Sequence, residues 1–277
     1  MTDASVGFTG SIPEYYDTCL GPAWFDAYAT DIAKRLPVNP LGDVLEIACG
    51  TGLVTQRLRD RLDPTRRLVA TDLSNAMLEY GRCKLRDREG IEWREADAVK
   101  LPFGEGEFGA VVCAFGLMFV PNKKGAFSEA RRVLKEGGVF LFSVWDRIEE
   151  NPCAVANAEI VEGLFPGDKE VRFRMPFEMY DPTLLRRFLA EAGFQDTRLE
   201  TKRVEIDGAS ALSVATGQIR GTPRSLLIEQ RGVSLEVVVK KVAAALEKLG
   251  GTDPFRSWAQ AVVVEACAIA SPIPANR

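Results

Sequence analysis

The 277-residue sequence contains no histidine. Histidine is the side chain that most readily exchanges a proton near neutral pH, and it is also the commonest metal ligand. Its absence excludes a Ser–His or Cys–His nucleophile, a histidine-bound metal and an imidazole base. Any reaction of this protein must therefore need little proton transfer, or must take its base from a carboxylate, a tyrosine, a lysine or water.

Three other features are absent: paired cysteines, long apolar segments and a net positive charge. The six cysteines form no C-x-x-C pair, so we expect reduced thiols rather than a zinc site or a disulfide framework. No segment has the roughly 18 uncharged apolar residues of a membrane span, and the first residues lack a signal-peptide pattern. A net charge of −4 disfavours nucleic acid as a partner. These absences predict a cytoplasmic protein without a metal, a nucleic-acid partner or a membrane partner, and they favour no oligomeric state.

What is present is a regular alternation of strands and helices. Short apolar runs predict strands at residues 43–47, 67–70, 91–94, 108–115, 138–145, 197–206 and 258–270. Helical periodicity predicts helices at residues 11–35, 53–62, 75–84, 126–134, 182–192 and 235–249. Strands separated by helices imply right-handed crossovers. We therefore expect an α/β fold with a doubly wound, Rossmann-like parallel sheet, an antiparallel last strand and helical lid insertions.

The turns after the first two predicted strands carry glycines and an acid. Gly50 and Gly52 follow the first strand, where the absence of a Cβ lets the backbone approach a ligand. Asp72 ends the second strand, at the spacing from the glycines that suits a carboxylate bound to both hydroxyls of a ribose. In a doubly wound sheet such residues meet at the carboxyl ends of the strands. The pattern indicates a cofactor that contains adenosine.

Further residues distinguish between such cofactors. Glu46 precedes the glycine turn, and a carboxylate suits a cationic amino-acid group better than a pyrophosphate. Thr55 stands where a dinucleotide fold usually has a third glycine. After the third strand, Asp97 offers a carboxylate to the adenine amine and Ala98 offers a backbone N–H to a ring nitrogen. An oxidoreductase with an NAD-type dinucleotide is therefore the less favoured alternative.

Each acid also has a structural interpretation. Asp72 could cap the helix that follows it, Asp97 could close a turn, and Glu46 could pair with a lysine or arginine.

These segments resemble the class I S-adenosylmethionine-dependent methyltransferases of the small-molecule and natural-product type. The similar segments are VLEIACGTG (44–52), VATDLS (69–74), ADAVKLPF (96–103) and RRVLKEGGVFLFSVW (131–145). The resemblance is tight over residues 41–145 and loose elsewhere. The N-terminal phrase GSIPEYYD is similar to members in which an early tyrosine covers the cofactor, and here Tyr16 is the candidate and Tyr15 the alternative.

The resemblance implies a set of contacts to S-adenosylmethionine. The residues expected beside the methionyl part are Tyr16, Glu46, Ala48, Gly50, Gly52, Ala114 and Phe115, with Asp72 at the ribose and Leu73, Met77, Asp97 and Ala98 at the adenine. Tyr15, Met118, Phe119 and Trp145 are expected in the substrate pocket, although simple packing explains such aromatics equally well. We expect one methyltransferase domain over residues 1–277. Its expected parts are an N-terminal helical lid at 8–36, a core at 41–146, 181–207 and 256–270, and lid or substrate insertions at 147–180 and 208–255.

The expected reaction is direct in-line displacement of the methyl group toward a small-molecule acceptor, with alignment and desolvation as the protein's main contribution. Because histidine is absent, a nitrogen acceptor is favoured. An O- or C-methyltransferase of a natural product stays open if a base reaches the pocket, and the candidate bases are Tyr16, Glu14, Asp17, Glu178 and Tyr180. A binding module that kept the cofactor pocket without an acceptor site is a further alternative.

Overall fold

A computed structural model of the chain describes residues 7–168, 170–171 and 174–269. Residues 1–6 and 271–277 of the predicted domain, and position 270 at the predicted end of its core, lie outside this range. Seven strands of the described chain form one sheet in the order β3-β2-β1-β4-β5-β7-β6. The strands are β1 (Asp43–Ile47), β2 (Leu68–Asp72), β3 (Ile91–Glu95), β4 (Phe108–Ala114), β5 (Leu134–Trp145), β6 (Gln195–Ile206) and β7 (Ser257–Cys267).

Helices connect the strands and extend beyond them. The α-helices are α1 (Ile12–Tyr15), α2 (Asp26–Arg35), α3 (Leu53–Arg61), α4 (Asn75–Lys84), α5 (Lys123–Val133), α6 (Pro152–Leu164), α7 (Pro182–Glu191), α8 (Ala211–Arg220), α9 (Arg224–Gln230) and α10 (Leu235–Gly250). A π-helix (Tyr16–Phe25) joins α1 to α2, and short 3₁₀ turns lie at Leu117–Phe119, Ile148–Glu150 and Met175–Phe177. Among the described residues, no helix is both long and apolar enough to span a membrane.

The strand directions confirm the predicted fold class. β1 pairs in parallel with β2 and β4, and β4 pairs in parallel with β5. The last strand, β7, lies antiparallel between β5 and β6, with Trp145 opposite Ala261. The carboxyl ends of β1, β2, β4 and β5 therefore share one edge with the start of β7, so residues far apart in sequence meet there.

Two apolar clusters cover the two faces of the sheet. On one face, Ile32 of α2 and Leu58 of α3 pack with Val44 and Leu68 of the central strands. On the other face, Phe127 of α5 and Phe188 of α7 belong to a larger cluster that also contains residues of α8 and α10. The segment predicted as an N-terminal lid thus has two parts, because α2 is packed into the core and only residues 8–25 precede it.

Some predicted boundaries are wrong by a few residues. α5 begins at Lys123 rather than at 126, because the side chain of Asn122 accepts a hydrogen bond from the backbone N–H of Gly125 at 3.0 Å and so caps the helix earlier. β5 begins at Leu134 rather than at 138, and it includes Gly137 at φ +76°. The predicted turn at residues 136–138 is therefore an irregular part of a strand.

Candidate functional site

A cavity of about 740 Å³ lies at the carboxyl edge of the sheet. Its floor is formed by the ends of β1, β2, β4 and β5, and its roof and far wall by residues 8–25 and by the segments around α6, α8 and α9. Edges of this kind are the usual ligand sites of doubly wound sheets. The cavity is large enough for a nucleoside-sized ligand together with a small second molecule.

The two glycines of the first turn have different surroundings. Both have left-handed backbone, with φ +55° at Gly50 and φ +79° at Gly52. A Cβ placed on Gly50 would have no atom within 4 Å, and Gly50 borders the cavity. A Cβ on Gly52 would lie 3.1 Å from the side chains of Leu85 and Trp93, and Gly52 does not border the cavity. The structure therefore places Gly50 at the cavity side of the turn and Gly52 against its packed side.

Asp72 connects this turn to the next one. Its Oδ2 accepts a hydrogen bond from the Gly50 N–H at 2.8 Å, and its Oδ1 accepts one from the Ser74 N–H at 2.8 Å. Burial raises the pKa of Asp72, and these backbone donors act in the opposite direction. Ser74, rather than Asp72, is the N-cap of α4, since its hydroxyl accepts from Met77 N–H at 3.3 Å. Asp72 thus borders the cavity as a fixed acceptor with lone pairs left for a ligand.

Glu46 lies behind the turn and is almost fully buried, with 1% of its surface exposed. Its Oε2 has no hydrogen-bond partner among the described residues. Burial raises the pKa of Glu46 to about 8, with a further contribution from the negative charge of Asp72, while hydrogen bonding by Thr55 and the charge of Lys84 act in the opposite direction. Glu46 borders a small recess next to the main cavity, together with Tyr16, Ala48 and Gly50. A buried acid with an unpartnered oxygen suits a cationic group of a ligand.

The residues predicted at the adenine lie together on the cavity wall. They are Leu73, Met77, Asp97 and Ala98. Asp97 Oδ1 accepts a hydrogen bond from Val99 N–H at 3.0 Å. Asp97 therefore closes a turn, as its structural interpretation states, and also borders the cavity.

Two residues near the ends of β1 and β4 have unusual backbone. Ala48 has φ +55° and Phe115 has φ +56°, a conformation that costs a residue other than glycine about 1–3 kcal/mol. The two turns touch, since a Cβ on Gly116 would overlap Ala48 Cβ. Ala48, Ala114 and Phe115 all border the cavity. Backbone strain concentrated beside a cavity is typical of functional sites.

Aromatic rings line the part of the cavity beyond Phe115. The Phe115 ring lies 4.2 Å from the Trp145 ring and 5.3 Å from the Phe25 ring, measured between centroids. Trp145 also stacks on Phe177 at 6.1 Å. Met118 and Phe119 border the same space. Three of the residues predicted in the substrate pocket, namely Met118, Phe119 and Trp145, are therefore brought together.

Tyr16 lies over the glycine turn from the N-terminal segment. Its ring stacks on Phe25 with centroids 4.9 Å apart, and it borders both the cavity and the small recess. Burial, with the negative charges of Asp72 and Asp17, raises the pKa of the Tyr16 hydroxyl far above its usual range. The hydroxyl therefore keeps its proton at neutral pH and acts as a hydrogen-bond donor rather than as a base.

The other candidate bases lie outside the lining that the described residues form. Asp17 makes an ion pair with Lys84 at 2.6 Å, and Glu14 and Glu178 are exposed. Tyr180 packs against Arg147. Tyr15, the reserve for the cofactor and a predicted substrate residue, lies under Arg220 instead. The structure thus places Tyr15 away from the cavity lining and Tyr16 at it.

Sequence reasoning missed several residues that border the cavity. They are Phe8, Trp24, Phe25, Lys123, Asn157, Phe177, Gln218, Arg224 and Trp258. Trp24 and Phe25 belong to the aromatic-rich N-terminal segment, so their composition was a usable signal. Asn157, Gln218 and Arg224 belong to the insertions and carry no motif, and only their long-range packing brings them to the site.

Comparison with known proteins identifies similar chains. Residues 45–142 match a family model described as a methyltransferase domain. Over 107 residues the chain is 40% identical to the ubiquinone/menaquinone biosynthesis C-methyltransferase UbiE of Ectopseudomonas mendocina, and the match covers 38% of this chain and 42% of that enzyme. The chain therefore matches less than half the length of this curated relative.

Solved structures resemble the chain over most of its length. The YcgJ protein of Bacillus subtilis superposes with a TM-score of 0.58 at 14% identity, covering 88% of this chain and 100% of that one. The phosphoethanolamine N-methyltransferase 2 of Haemonchus contortus, solved with phosphomonomethylethanolamine and S-adenosylhomocysteine, superposes with a TM-score of 0.56 at 15% identity. That match covers 95% of this chain and 61% of the other. At such identities the likeness shows the fold alone.

Proposed function

Residues 45–142 form a class I S-adenosylmethionine-dependent methyltransferase domain, as the sequence predicted, and from this premise we propose that the chain methylates an apolar, aromatic small molecule. One observation carries the proposal. A single cavity joins the turn that contains Gly50 and Asp72 to a chamber lined by aromatic rings. A cofactor and an acceptor bound in the same cavity meet without crossing solvent.

The residues at the first end of the cavity fit S-adenosylmethionine. Gly50 leaves open the space that a Cβ would fill, and Asp72 provides acceptors for ribose hydroxyls. The buried, unpartnered Oε2 of Glu46 suits the ammonium group of the methionyl part. When bound, S-adenosylmethionine supplies a methyl group on a positively charged sulfur, which is open to direct displacement.

The other end of the cavity suits a flat acceptor. Phe25, Phe115, Trp145 and Phe177 surround it with ring faces and edges. Such walls exclude water and fix the orientation of an aromatic molecule. Orientation of two reactants can lower a barrier by about 7–11 kcal/mol, so positioning is the main task that we assign to these side chains.

The acceptor atom is one that needs little help in losing a proton. Tyr16 keeps its own proton, and the acids that border the cavity, Asp72 and Asp97, lie at the end assigned to the cofactor. This arrangement supports nitrogen as the methylated atom. A carbon of an electron-rich ring is the second candidate, favoured by the aromatic chamber and by the identity with an enzyme named as a C-methyltransferase.

The test begins with cofactor binding by calorimetry. Replacement of Asp72 by alanine removes acceptors for charge-assisted hydrogen bonds worth about 1.5–3 kcal/mol. We expect S-adenosylhomocysteine to bind Asp72→Ala about tenfold more weakly or worse than the wild type. Glu79→Ala removes an exposed acid from α4, where it pairs with Arg82 at 3.2 Å, and is the matched control. Unchanged affinity in folded Asp72→Ala would refute the ribose assignment.

Two further measurements separate the alternatives. Titration with NADH tests the dinucleotide interpretation, and binding of NADH in preference to S-adenosylhomocysteine would contradict the proposal. Incubation with S-adenosylmethionine and a panel of aromatic amines, phenols and enols tests turnover by the release of S-adenosylhomocysteine. Tight cofactor binding without any turnover would instead favour the binding module.

A further inference from the structure

A buried arginine borders the cavity at the side formed by the insertions. Arg224, on α9, has 4% of its surface exposed and lines the cavity. Its Nη1 donates a hydrogen bond to Oδ1 of Asn157, on α6, at 2.7 Å. Neither residue belongs to the strand ends that hold the glycine turn and the acids. The arginine is therefore part of the wall that the insertions add to the methyltransferase core.

Burial sets the electrostatic state of Arg224. It lowers the pKa of the guanidinium to about 9, and the nearby Glu162 acts in the opposite direction. Glu162 itself accepts two hydrogen bonds from Arg174, at 2.6 and 3.1 Å. Arg224 is therefore still protonated at neutral pH. A positive charge in the wall of a cavity attracts a ligand that carries a negative charge.

Gln218 gives an independent sign of ligand binding at the same wall. It lies on α8, has 8% of its surface exposed and borders the cavity. Its Oε1 has no hydrogen-bond partner among the described residues. A buried polar atom without a partner is costly, so a ligand that pairs with the amide offsets that cost. Because an amide presents either its oxygen or its NH₂ after rotation, Gln218 can also donate to a carboxylate.

Lys123 is the other cation among the described residues that border the cavity. Its Nζ donates to the backbone carbonyls of Met118 and Val120, at 3.2 and 3.0 Å. An ammonium is also a point donor, whereas the planar fork of an arginine matches the two oxygens of a carboxylate. Arg224 is therefore the better anchor for a planar anion.

We propose that Arg224 and Gln218 recognise a carboxylate of the methyl acceptor, and that Asn157 positions the guanidinium. The acceptor is then a flat apolar molecule with one carboxylate, held with its body among the aromatic rings. This inference rests on the proposed function, because it names the class of molecule that the acceptor chamber selects. Arg224 acts in specificity and takes no part in proton transfer.

The experiment uses full-length protein saturated with S-adenosylhomocysteine and two probes of equal shape, 2-naphthoate and 2-naphthamide. Calorimetry gives the dissociation constant of each. Hydrogen bonds to a charged group are stronger than neutral ones, so we expect naphthoate to bind the wild type about tenfold more tightly than naphthamide, or better. Arg224→Gln should abolish that preference, and Arg224→Lys should retain part of it. Lys123→Gln is the matched control, which removes a cation of the same cavity and should keep the preference.

The possible outcomes are distinct. Equal affinities in the wild type, no naphthoate binding at millimolar concentration, or an unchanged preference in Arg224→Gln would overturn the inference. If Arg224→Gln does not fold, the inference is tested by the preference of the wild type for naphthoate and by the dependence of that preference on salt. Salt screens a buried charge pair less than a surface attraction, so a preference that weakens little at high salt agrees with the buried site. Saturation with S-adenosylhomocysteine is measured first, so a failure of cofactor binding is seen separately and counts against the proposed function.

Discussion

At the scale of single residues, the two glycines of the turn after β1 share one motif but have different surroundings. Gly50 and Gly52 both need left-handed backbone, and the sequence motif treats them alike. Their surroundings differ, because Gly50 opens to the cavity and Gly52 faces Leu85 and Trp93. The motif therefore predicted that both glycines lie beside the ligand, whereas in the structure Gly50 borders the cavity and Gly52 does not.

This difference gives a prediction with an internal control. Gly50→Ala and Gly52→Ala both pay about 1–2 kcal/mol for left-handed backbone. At Gly52 the new methyl group also presses on Leu85 and Trp93, which adds about 1–3 kcal/mol. We expect Gly52→Ala to lose more stability in urea unfolding, and Gly50→Ala to lose more affinity for S-adenosylhomocysteine per folded molecule. The opposite order would show that the cofactor does not contact Gly50.

The sequence predicted the side chains that border the cavity better at the end proposed for the cofactor than at the end proposed for the acceptor. Asp72 ends β2 and Asp97 lies just beyond β3, so a local pattern was enough to place them at the cavity edge. Arg224 and Gln218 reach the cavity only because α8 and α9 pack beside α6 and the N-terminal segment. No local spacing encodes that packing, and a buried arginine looks like a surface residue in the sequence.

At the scale of elements, the N-terminal segment is divided between the core and the cavity roof. Tyr28 of α2 donates to the carbonyls of Lys202 and Ala259, at 3.0 and 2.8 Å, and so fixes this helix to β6 and β7. Residues 8–25, which precede α2, make fewer hydrogen bonds and ion pairs to the rest of the described chain. The carbonyl of Phe8 accepts from the Ser74 hydroxyl at 2.8 Å, and Asp17 pairs with Lys84.

We predict that residues 8–25 form the movable part of the predicted lid. Their hydrogen bonds to α4 are few and partly exposed. Their buried side chains, such as Leu20, pack on α8 of the insertion, and a bound ligand adds contacts to Tyr16 and Phe8. Hydrogen exchange at residues 8–25 should therefore slow markedly when S-adenosylhomocysteine binds, while exchange at residues 26–35 stays slow in both states. Slow exchange of both parts without ligand would mean that the roof is permanently closed.

A substitution pair separates the two parts of this segment. Tyr28→Phe loses the hydrogen bond that a buried hydroxyl shares between two carbonyls, which costs roughly 1–3 kcal/mol of stability. Its affinity for S-adenosylhomocysteine should stay near that of the wild type. Tyr16→Phe should show the reverse, a weaker affinity with little change in thermal stability. Similar losses of affinity in both variants would indicate that the whole segment acts as one unit.

The positions of the elements were largely predictable, whereas their arrangement was only partly so. Apolar runs of strand length and helical periodicity are local, so β1 and α4 fall at their predicted residues. The helices α8 and α9, by contrast, lie in a segment for which only an insertion was predicted. Their boundaries depend on packing against α10 and the π-helix, which is decided by contacts distant in sequence.

At the scale of the whole molecule, the acids buried at the cavity lower the stability of the folded protein. Glu46 is buried and Asp72 is partly buried, burial raises the pKa of both, and the negative charge of Asp72 further disfavours ionisation of Glu46. A cationic ligand group at this point would relieve that cost. The stability of the protein without ligand must therefore depend on pH in a definite direction, because protonation of Glu46 removes the buried charge.

The last prediction follows from this linkage. The pKa of Glu46 is raised from 4.5 to about 8 in the folded protein. Between those values the folded state retains a proton that the unfolded state has lost. This carboxyl therefore lowers the free energy of unfolding by about 1.4 kcal/mol for each unit of rising pH. Its contribution to stability is complete below the unfolded pKa and is lost as the pH rises through the folded pKa.

Glu46→Gln stays neutral throughout, so the variant should gain stability relative to the wild type from mildly acidic to mildly alkaline pH. Urea unfolding of both proteins across this range measures the difference. Asp72, whose own pKa is raised, is present in both proteins and largely cancels. A difference that stays constant with pH would show that Glu46 titrates alike in the folded and the unfolded protein, and the raised pKa on which this prediction rests would then be wrong.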